Sequence, residues 1–258
     1  MHIDIKTKKI IINGVKSAGI AVKELAGKIE TENLSKVTTF DYGIPADEKA
    51  EKIILDAVHK SKLNCKIISE ETGLVEKSNA EYKIFIDALD GTVNFSRGIP
   101  TFCIGLGIYS LEDEPLLGII YDPNQDELFV GEKNQGVTLN GNKILPKTLE
   151  KNILINLEWF GADDYLDIVE KLKKDNFRAR TAGSGVLALC YGVTGRGDAA
   201  ILLQNSPWDV APGMVFAKEL GYIIRQIDGN EVDLNKRKQN IIAAPRVLFE
   251  KILHCLNK

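Results

Sequence analysis

The stretch YKIFIDALDGT, residues 82–92, decides how this chain is interpreted. An apolar run typical of a buried strand ends in Asp87, and a tight turn carrying Asp90, Gly91 and Thr92 follows. Both carboxylates and the carbonyl of Leu89 can converge on one region, and Mg²⁺ prefers such hard oxygen ligands. Gly91 permits close approach to an anion, and a helix starting at Thr92 would point N–H groups at a phosphate. Read alone, the segment is more typical of an Asp-Gly turn with a solvated carboxylate.

Three further segments place acidic residues at the end of a predicted strand or the start of a predicted helix. ISEETG, residues 68–73, carries Glu70 and Glu71, of which only one can face a common site because adjacent strand side chains point apart. SPWDVAPG, residues 206–213, carries Asp209, and DYGIPAD, residues 41–47, carries Asp41 and Asp47. Each segment alone is also typical of a helix cap or a solvated loop. Together they predict one cluster of carboxylates, which repel one another unless cations neutralise them.

The pattern of apolar residues divides the chain near residue 145. Residues 1–145 are predicted to form two helices, at 16–29 and 46–61, followed by a largely antiparallel sheet. Asn140-Gly141 predicts a two-residue hairpin turn within that sheet. Residues 146–258 alternate strands with helices, which indicates an α/β arrangement. Helices are predicted at 165–174, 186–193, 207–220 and from 246, and strands at 177–180, 199–203, 222–227 and 240–244. A cleft between two such halves is a common place for a ligand.

The composition narrows the function classes. The chain has 258 residues and a net charge of −3, which argues against a nucleic-acid or anionic-membrane partner. Four scattered cysteines without a CxxC pair predict buried thiols in a reducing compartment. The N-terminal residues lack the apolar core of a secretory signal, and no apolar run reaches membrane-spanning length. We therefore expect a cytoplasmic protein.

Three motifs resemble those of the inositol monophosphatase superfamily, which includes archaeal enzymes that also act on fructose 1,6-bisphosphate. They are SEET at 69–72, DALDGT at 87–92 and PWDVAPG at 207–213, in the family's order and spacing. The resemblance implies an α+β or α/β fold of the sugar-phosphatase type, a layered α-β-α-β-α sandwich, usually in a homodimer. It also implies a phosphoric monoester hydrolase that uses two or three Mg²⁺ ions per site on a small phosphorylated metabolite.

The resemblance also implies roles for individual residues. Asp47 and Thr92 would orient or deprotonate the attacking water, with Asp41 near the weakest metal position. The implied metal ligands are Glu70, Asp87, the carbonyl of Leu89, Asp90 and Asp209. The implied substrate contacts are Asp90, Gly91, Thr92, Arg180, Gly183, Ser184, Gly185 and the position of Leu202.

Some positions depart from the family pattern, and they leave the substrate open. Ala88 replaces a usual proline, and Pro212 stands where the family commonly has alanine and would remove a helix hydrogen bond. Leu202 replaces a glutamate or arginine, so this position can hydrogen-bond no substrate hydroxyl. A 3′-nucleotidase or NADP(H) phosphatase of the same superfamily remains an alternative, although Val93 replaces the lysine typical of the nucleotidases. A non-catalytic phosphometabolite-binding regulator is a further alternative.

Overall fold

The acid-bearing stretch at residues 82–92 forms a buried central strand of a large mixed sheet. A computed structural model of the protein describes residues 3–28, 37–38, 41–42, 45–146, 148–149 and 151–257, with the backbone alone at 37–38 and 41–42. The sheet has eight strands in the order β10-β9-β8-β7-β6-β5-β3-β4. Its strands are β3 (Cys65–Ser69), β4 (Gly73–Val75), β5 (Tyr82–Asp90), β6 (Cys103–Ser110), β7 (Pro115–Asp122), β8 (Glu127–Glu132), β9 (Gly136–Leu139) and β10 (Asn142–Ile144). All of its strand pairings are antiparallel except that of β3 with β5, which is parallel. The predicted, largely antiparallel sheet is therefore confirmed.

A second sheet has five strands in the order β12-β11-β13-β15-β14. Its strands are β11 (Leu154–Trp159), β12 (Arg178–Arg180), β13 (Ala199–Asn205), β14 (Ile223–Gln226) and β15 (Gln239–Ala244). Strand β11 pairs in parallel with both β12 and β13, so the carboxyl ends of all three meet at one edge. The sequence analysis missed β11, whose apolar run is short. A separate antiparallel pair joins β1 (Val37–Thr38) to β2 (Asp41–Tyr42).

The helices cover and separate the two sheets. They are α1 (Ile5–Lys23), α2 (Pro45–Ser61), α3 (Thr92–Ser96), α4 (Tyr165–Lys174), α5 (Gly185–Thr194), α6 (Pro207–Glu219) and α7 (Arg246–Leu256). Helices α1 and α2 pack on the outer face of the large sheet, α5 and α6 lie between the sheets, and α4 and α7 cover the outer face of the small sheet. The predicted five-layer α-β-α-β-α order is therefore confirmed.

The predicted start of the first helix needs correction. Helix α1 begins at Ile5 rather than residue 16, because the Asp4 side chain accepts the N–H of Thr7 at 3.0 Å and caps it. It ends at Lys23, and the predicted end at residue 29 lies outside the described residues. Helix α6 continues through Pro212 without interruption. The ring of Pro212 packs beside Gly105, and the carbonyl oxygen of Pro212 lies so near Gly118 that a Cβ there would clash with it. The two glycines of the large sheet therefore leave room for the proline in a close helix–sheet contact.

The inner core joins the two halves of the chain. Phe85, Tyr109 and Phe129 from the large sheet pack with side chains of α5 and α6, such as Val210 and Phe216. The predicted boundary near residue 145 falls between β10 and β11. All four cysteines are buried thiols, as predicted. In the described part of the chain, no helix has both the length and the apolar character needed to cross a bilayer.

Candidate active site

Five of the predicted acidic residues are brought together at one edge of the large sheet. Asp87 and Asp90 close β5, Glu70 follows the neighbouring parallel strand β3, Asp47 lies in the first turn of α2, and Asp209 lies in the first turn of α6. The four aspartates are buried. Burial raises the pKa of Asp87 well above its ordinary value, and the charges of the other four carboxylates raise it further. The chain therefore maintains a buried cluster of mutually repelling carboxylates.

A break in strand pairing shapes the turn that carries Asp87 and Asp90. The register between β5 and β6 shifts between these two residues, an irregularity that is common beside active sites. The carboxylate of Asp87 accepts the N–H of Leu89 at 3.2 Å, and the hydroxyl of Thr92 donates to the carbonyl of Leu89 at 3.1 Å. Gly91 has φ +88°, and a Cβ there would stand 2.7 Å from the carbonyl oxygen of Thr101. Glycine is thus required at this turn for both conformation and space.

Asp90 links the turn to the start of α5. Its carboxylate accepts the hydroxyl of Ser184, the N–H of Gly185 at 3.2 Å and the N–H of Val186 at 3.0 Å. Burial raises the pKa of Asp90, and these hydrogen bonds oppose that rise because they stabilise the charged form. The predicted substrate loop at residues 183–185 is therefore in direct contact with a predicted metal ligand.

Asp209 is held by the first turn of α6. Pro207 occupies the first position of that helix, where a missing N–H costs nothing, and Asp209 accepts the N–H of Ser206 at 2.6 Å. Burial raises the pKa of Asp209 to about 7, with a further upward contribution from the charge of Asp90. A hydrogen bond with Asp87 and the charge of Arg237 act in the opposite direction. Asp209 therefore serves as a helix-capping residue and a member of the cluster at once.

The donor set suits a hard divalent cation. It consists of carboxylate and carbonyl oxygens, the ligands that Mg²⁺ prefers. A cation would relieve the repulsion that raises the pKa of Asp87. Within the described ranges, however, no three Asp, Glu, His or Cys side chains are already arranged around one ion.

One buried acid beside this site was missed by the sequence analysis. Glu158 lies in β11 with 3% of its surface exposed, and its carboxylate accepts the N–H groups of Ala182 and Gly183. Burial raises its pKa to about 7, and the two N–H donors act against that rise. The alternation of apolar Ile155 and Leu157 with polar neighbours in residues 153–159 is the signal that could have identified this strand.

Three other predicted site residues lie elsewhere or outside the described side chains. Leu202 is 0% exposed and packs in the inner core, so substrate cannot contact its side chain in this conformation, contrary to the expectation that it lines the substrate site. Arg180 is exposed and lines a cavity of about 190 Å³ that includes none of the clustered acids. That cavity is formed by Asn152, Leu154, Arg178, Arg180, Arg196, Gly197 and Asp198. The side chain of Asp41 lies outside the described part of the structure, so its role stays a prediction.

Comparison with known proteins identifies relatives across nearly the whole chain. A family model described as the inositol monophosphatase family matches residues 6–258. A fructose-1,6-bisphosphatase from Pyrococcus furiosus is 33% identical over 210 residues, which cover 80% of this chain and 79% of the relative. The Nus factor SuhB of Escherichia coli strain K12 is 30% identical over 227 residues, which cover 85% of each chain.

The fold also matches that of a solved structure over nearly the whole chain. The extragenic suppressor protein suhB from Bartonella henselae superposes with a TM-score of 0.89 at 27% identity, covering 97% of this chain and 98% of that one. The motif resemblance and the layered fold therefore point to the same family.

Proposed function

Because the chain belongs to the inositol monophosphatase family, we propose that it is a Mg²⁺-dependent phosphatase that hydrolyses small polyol or sugar phosphate monoesters. Inositol 1-phosphate and fructose 1,6-bisphosphate are the proposed substrates, the second supported by the name of the Pyrococcus furiosus relative. The observation that carries the proposal is the buried cluster of Asp47, Asp87, Asp90 and Asp209 beside the Gly91-Thr92 turn. A buried group of like charges is costly, and binding of a cation offsets that cost.

The proposed division of labour starts with the cation ligands. Glu70, Asp87, Asp90 and Asp209, together with the carbonyl of Leu89, would hold the ions. When bound, Mg²⁺ lowers the pKa of a water molecule and stabilises charge on the leaving alkoxide. The carboxylates supply the negative charge that would retain the ions, and the burial of the three aspartates limits the access of competing water.

The remaining residues act on water and phosphate. Asp47 is buried in the first turn of α2, where its carboxylate can accept a proton from the attacking water. The hydroxyl of Thr92 donates its proton to the carbonyl of Leu89, which leaves the hydroxyl oxygen as an acceptor for a proton of the attacking water. The N–H groups of Gly91 and Thr92 would bind phosphoryl oxygens, which have a charge that grows during transfer.

The test is a phosphate-release assay on purified protein with inositol 1-phosphate, fructose 1,6-bisphosphate, glycerol phosphate and 3′-AMP, each with Mg²⁺ and with EDTA. We expect Mg²⁺-dependent release from the first three compounds. Absence of hydrolysis for every compound at saturating Mg²⁺ would refute the proposal. A preference for 3′-AMP would instead favour the nucleotidase alternative.

A second candidate is suggested by one relative. The Escherichia coli protein at 30% identity is named a Nus factor, so a Nus-factor role is a candidate for this chain as well. The discriminating experiment asks whether the gene can replace SuhB in an Escherichia coli strain lacking it. Replacement by a variant that no longer hydrolyses phosphate esters would favour this role, and failure of the wild type to replace SuhB would count against it.

A further inference from the structure

The loop between β12 and α5 is held from two sides. The carboxylate of Glu158 accepts the N–H groups of Ala182 and Gly183, the latter at 3.0 Å. The side-chain amide of Asn94 donates to the carbonyl oxygens of Ala182 at 2.7 Å and Thr101 at 2.8 Å, and the carbonyl oxygen of Gly183 lies 3.2 Å from the same nitrogen. Two buried side chains, Glu158 of β11 and Asn94 of α3, therefore hold the backbone of two consecutive loop residues.

The fixed loop leads directly to Asp90. Gly183 has φ +77°, and a Cβ there would stand 2.9 Å from the amide nitrogen of Asn94, so the backbone must turn at this residue. Ser184 follows, caps α5 and donates its hydroxyl to Asp90. A displacement of Ala182 or Gly183 would therefore move the hydroxyl and N–H groups that orient the Asp90 carboxylate.

Glu158 supplies a hydrogen-bond acceptor that its neighbour in the adjacent strand lacks. In the register of the small sheet, Glu158 of β11 stands beside Leu202 of β13. The leucine side chain has no hydrogen-bonding group and lies in the inner core. Glu158 is itself 3% exposed, so water is a poor substitute for its carboxylate beneath the loop. The loop depends on this one side chain for the partners of its two N–H groups.

We propose that Glu158 is a positioning residue for the cation site: through the N–H groups of Ala182 and Gly183 it places Ser184 and the start of α5 so that they orient the Asp90 carboxylate. The part of this inference that concerns cation affinity rests on the proposed function, whereas the part that concerns the loop does not. Removal of a residue that orients a metal ligand without contacting the metal typically lowers metal affinity or activity by about 10- to 100-fold.

The experiment compares Glu158→Leu with Glu158→Gln. Leucine fills a similar volume but accepts no hydrogen bond, whereas glutamine keeps an acceptor oxygen for both N–H groups. The quantities to be measured are the Mg²⁺ dissociation constant, by calorimetry, and the rate of amide hydrogen exchange in residues 182–187. Glu158→Leu should weaken Mg²⁺ binding by about 10- to 100-fold and speed exchange in that segment. Glu158→Gln should stay close to the wild type in both.

A matched control is available in Glu219. Its carboxylate also accepts two backbone N–H groups, from Asn134 and Gly136, at 2.9 Å each, in the turn between β8 and β9. Glu219→Leu should speed exchange in that turn and leave Mg²⁺ affinity unchanged.

Wild-type Mg²⁺ affinity in folded Glu158→Leu protein would overturn the proposal. If that variant fails to fold, Glu158→Asp replaces it, because one methylene fewer withdraws the carboxylate from the loop. Wild-type exchange and affinity in Glu158→Asp would overturn the proposal equally. If the wild type does not bind Mg²⁺ at all, the proposed function fails, while the exchange measurement still decides whether Glu158 holds the loop.

Discussion

Replacing Asp90 with asparagine tests the carboxylate cluster most directly. The change preserves shape and removes one negative charge from the group that we propose binds cations. We expect kcat/KM to fall by about 10²-fold or more, which corresponds to about 3 kcal/mol of transition-state stabilisation. Asp90 lies close enough to Asp87 and Asp209 for its charge to act on both, so its carboxylate contributes directly to the attraction that would hold a cation among them.

The stability of Asp90→Asn should change little, because two effects oppose each other. Asp90 accepts Ser184 and Val186 with one oxygen and Gly185 with the other, and asparagine has one acceptor oxygen. A donor left without a partner costs about 1–3 kcal/mol. Burial also raises the pKa of Asp90, so the folded state holds the charged form at a cost that asparagine removes.

The assay is steady-state phosphate release as a function of Mg²⁺ concentration, with urea unfolding run in parallel. Asp122→Asn is the matched control, because Asp122 is also a buried aspartate that accepts backbone N–H groups, from Asn124 at 2.8 Å and Gln125 at 3.2 Å. That control should lose stability and retain kcat/KM. Near-wild-type turnover of Asp90→Asn at saturating Mg²⁺ would show that Asp90 is not a required ligand.

Four further predictions concern the bound cation, the Gly91 turn and Arg180. Activity should vanish in EDTA and return with Mg²⁺ but poorly with Ca²⁺, which is larger and tolerates irregular coordination; full activity in chelator would contradict a metal mechanism. Mg²⁺ at about 100 times its dissociation constant should also stabilise the fold by about 2.7 kcal/mol, measured as a shift in urea midpoint. Gly91→Ala should lower stability by at least about 1 kcal/mol and reduce kcat, because φ is +88° and the new Cβ meets the Thr101 carbonyl at 2.7 Å; unchanged urea and kinetic curves would show that the turn adapts. Arg180→Ala should lower kcat/KM for fructose 1,6-bisphosphate more than for glycerol phosphate, because a guanidinium can bind a second phosphate with two hydrogen bonds. An equal loss of kcat/KM for both substrates would show that Arg180, which lines the separate arginine-rich cavity, does not contact the second phosphate.

Local sequence was sufficient for much of the fold. The spacing of apolar residues predicted α2 and α4 within a residue, and Asn140-Gly141 predicted the hairpin between β9 and β10, where both residues have positive φ. The family motifs named four of the five acidic residues that the structure brings together, and the segment at 41–47 supplied the fifth, Asp47. These features depend on contacts between near neighbours or on motifs that carry chemistry, and both can be read along the chain.

Tertiary structure alone decided what lies around those acids. The sequence does not state that β11 sits between β12 and β13, and that placement puts Glu158 beneath the loop at residues 182–183 and beside Leu202. Nor does it state that Ser184 reaches Asp90, 94 positions earlier in the chain. The order and register of strands are set by long-range packing, and a shift of one residue would turn Glu158 to the opposite face of the sheet. The sequence thus determined which side chains are candidate cation ligands, while the tertiary structure determined which groups lie in position to orient those ligands.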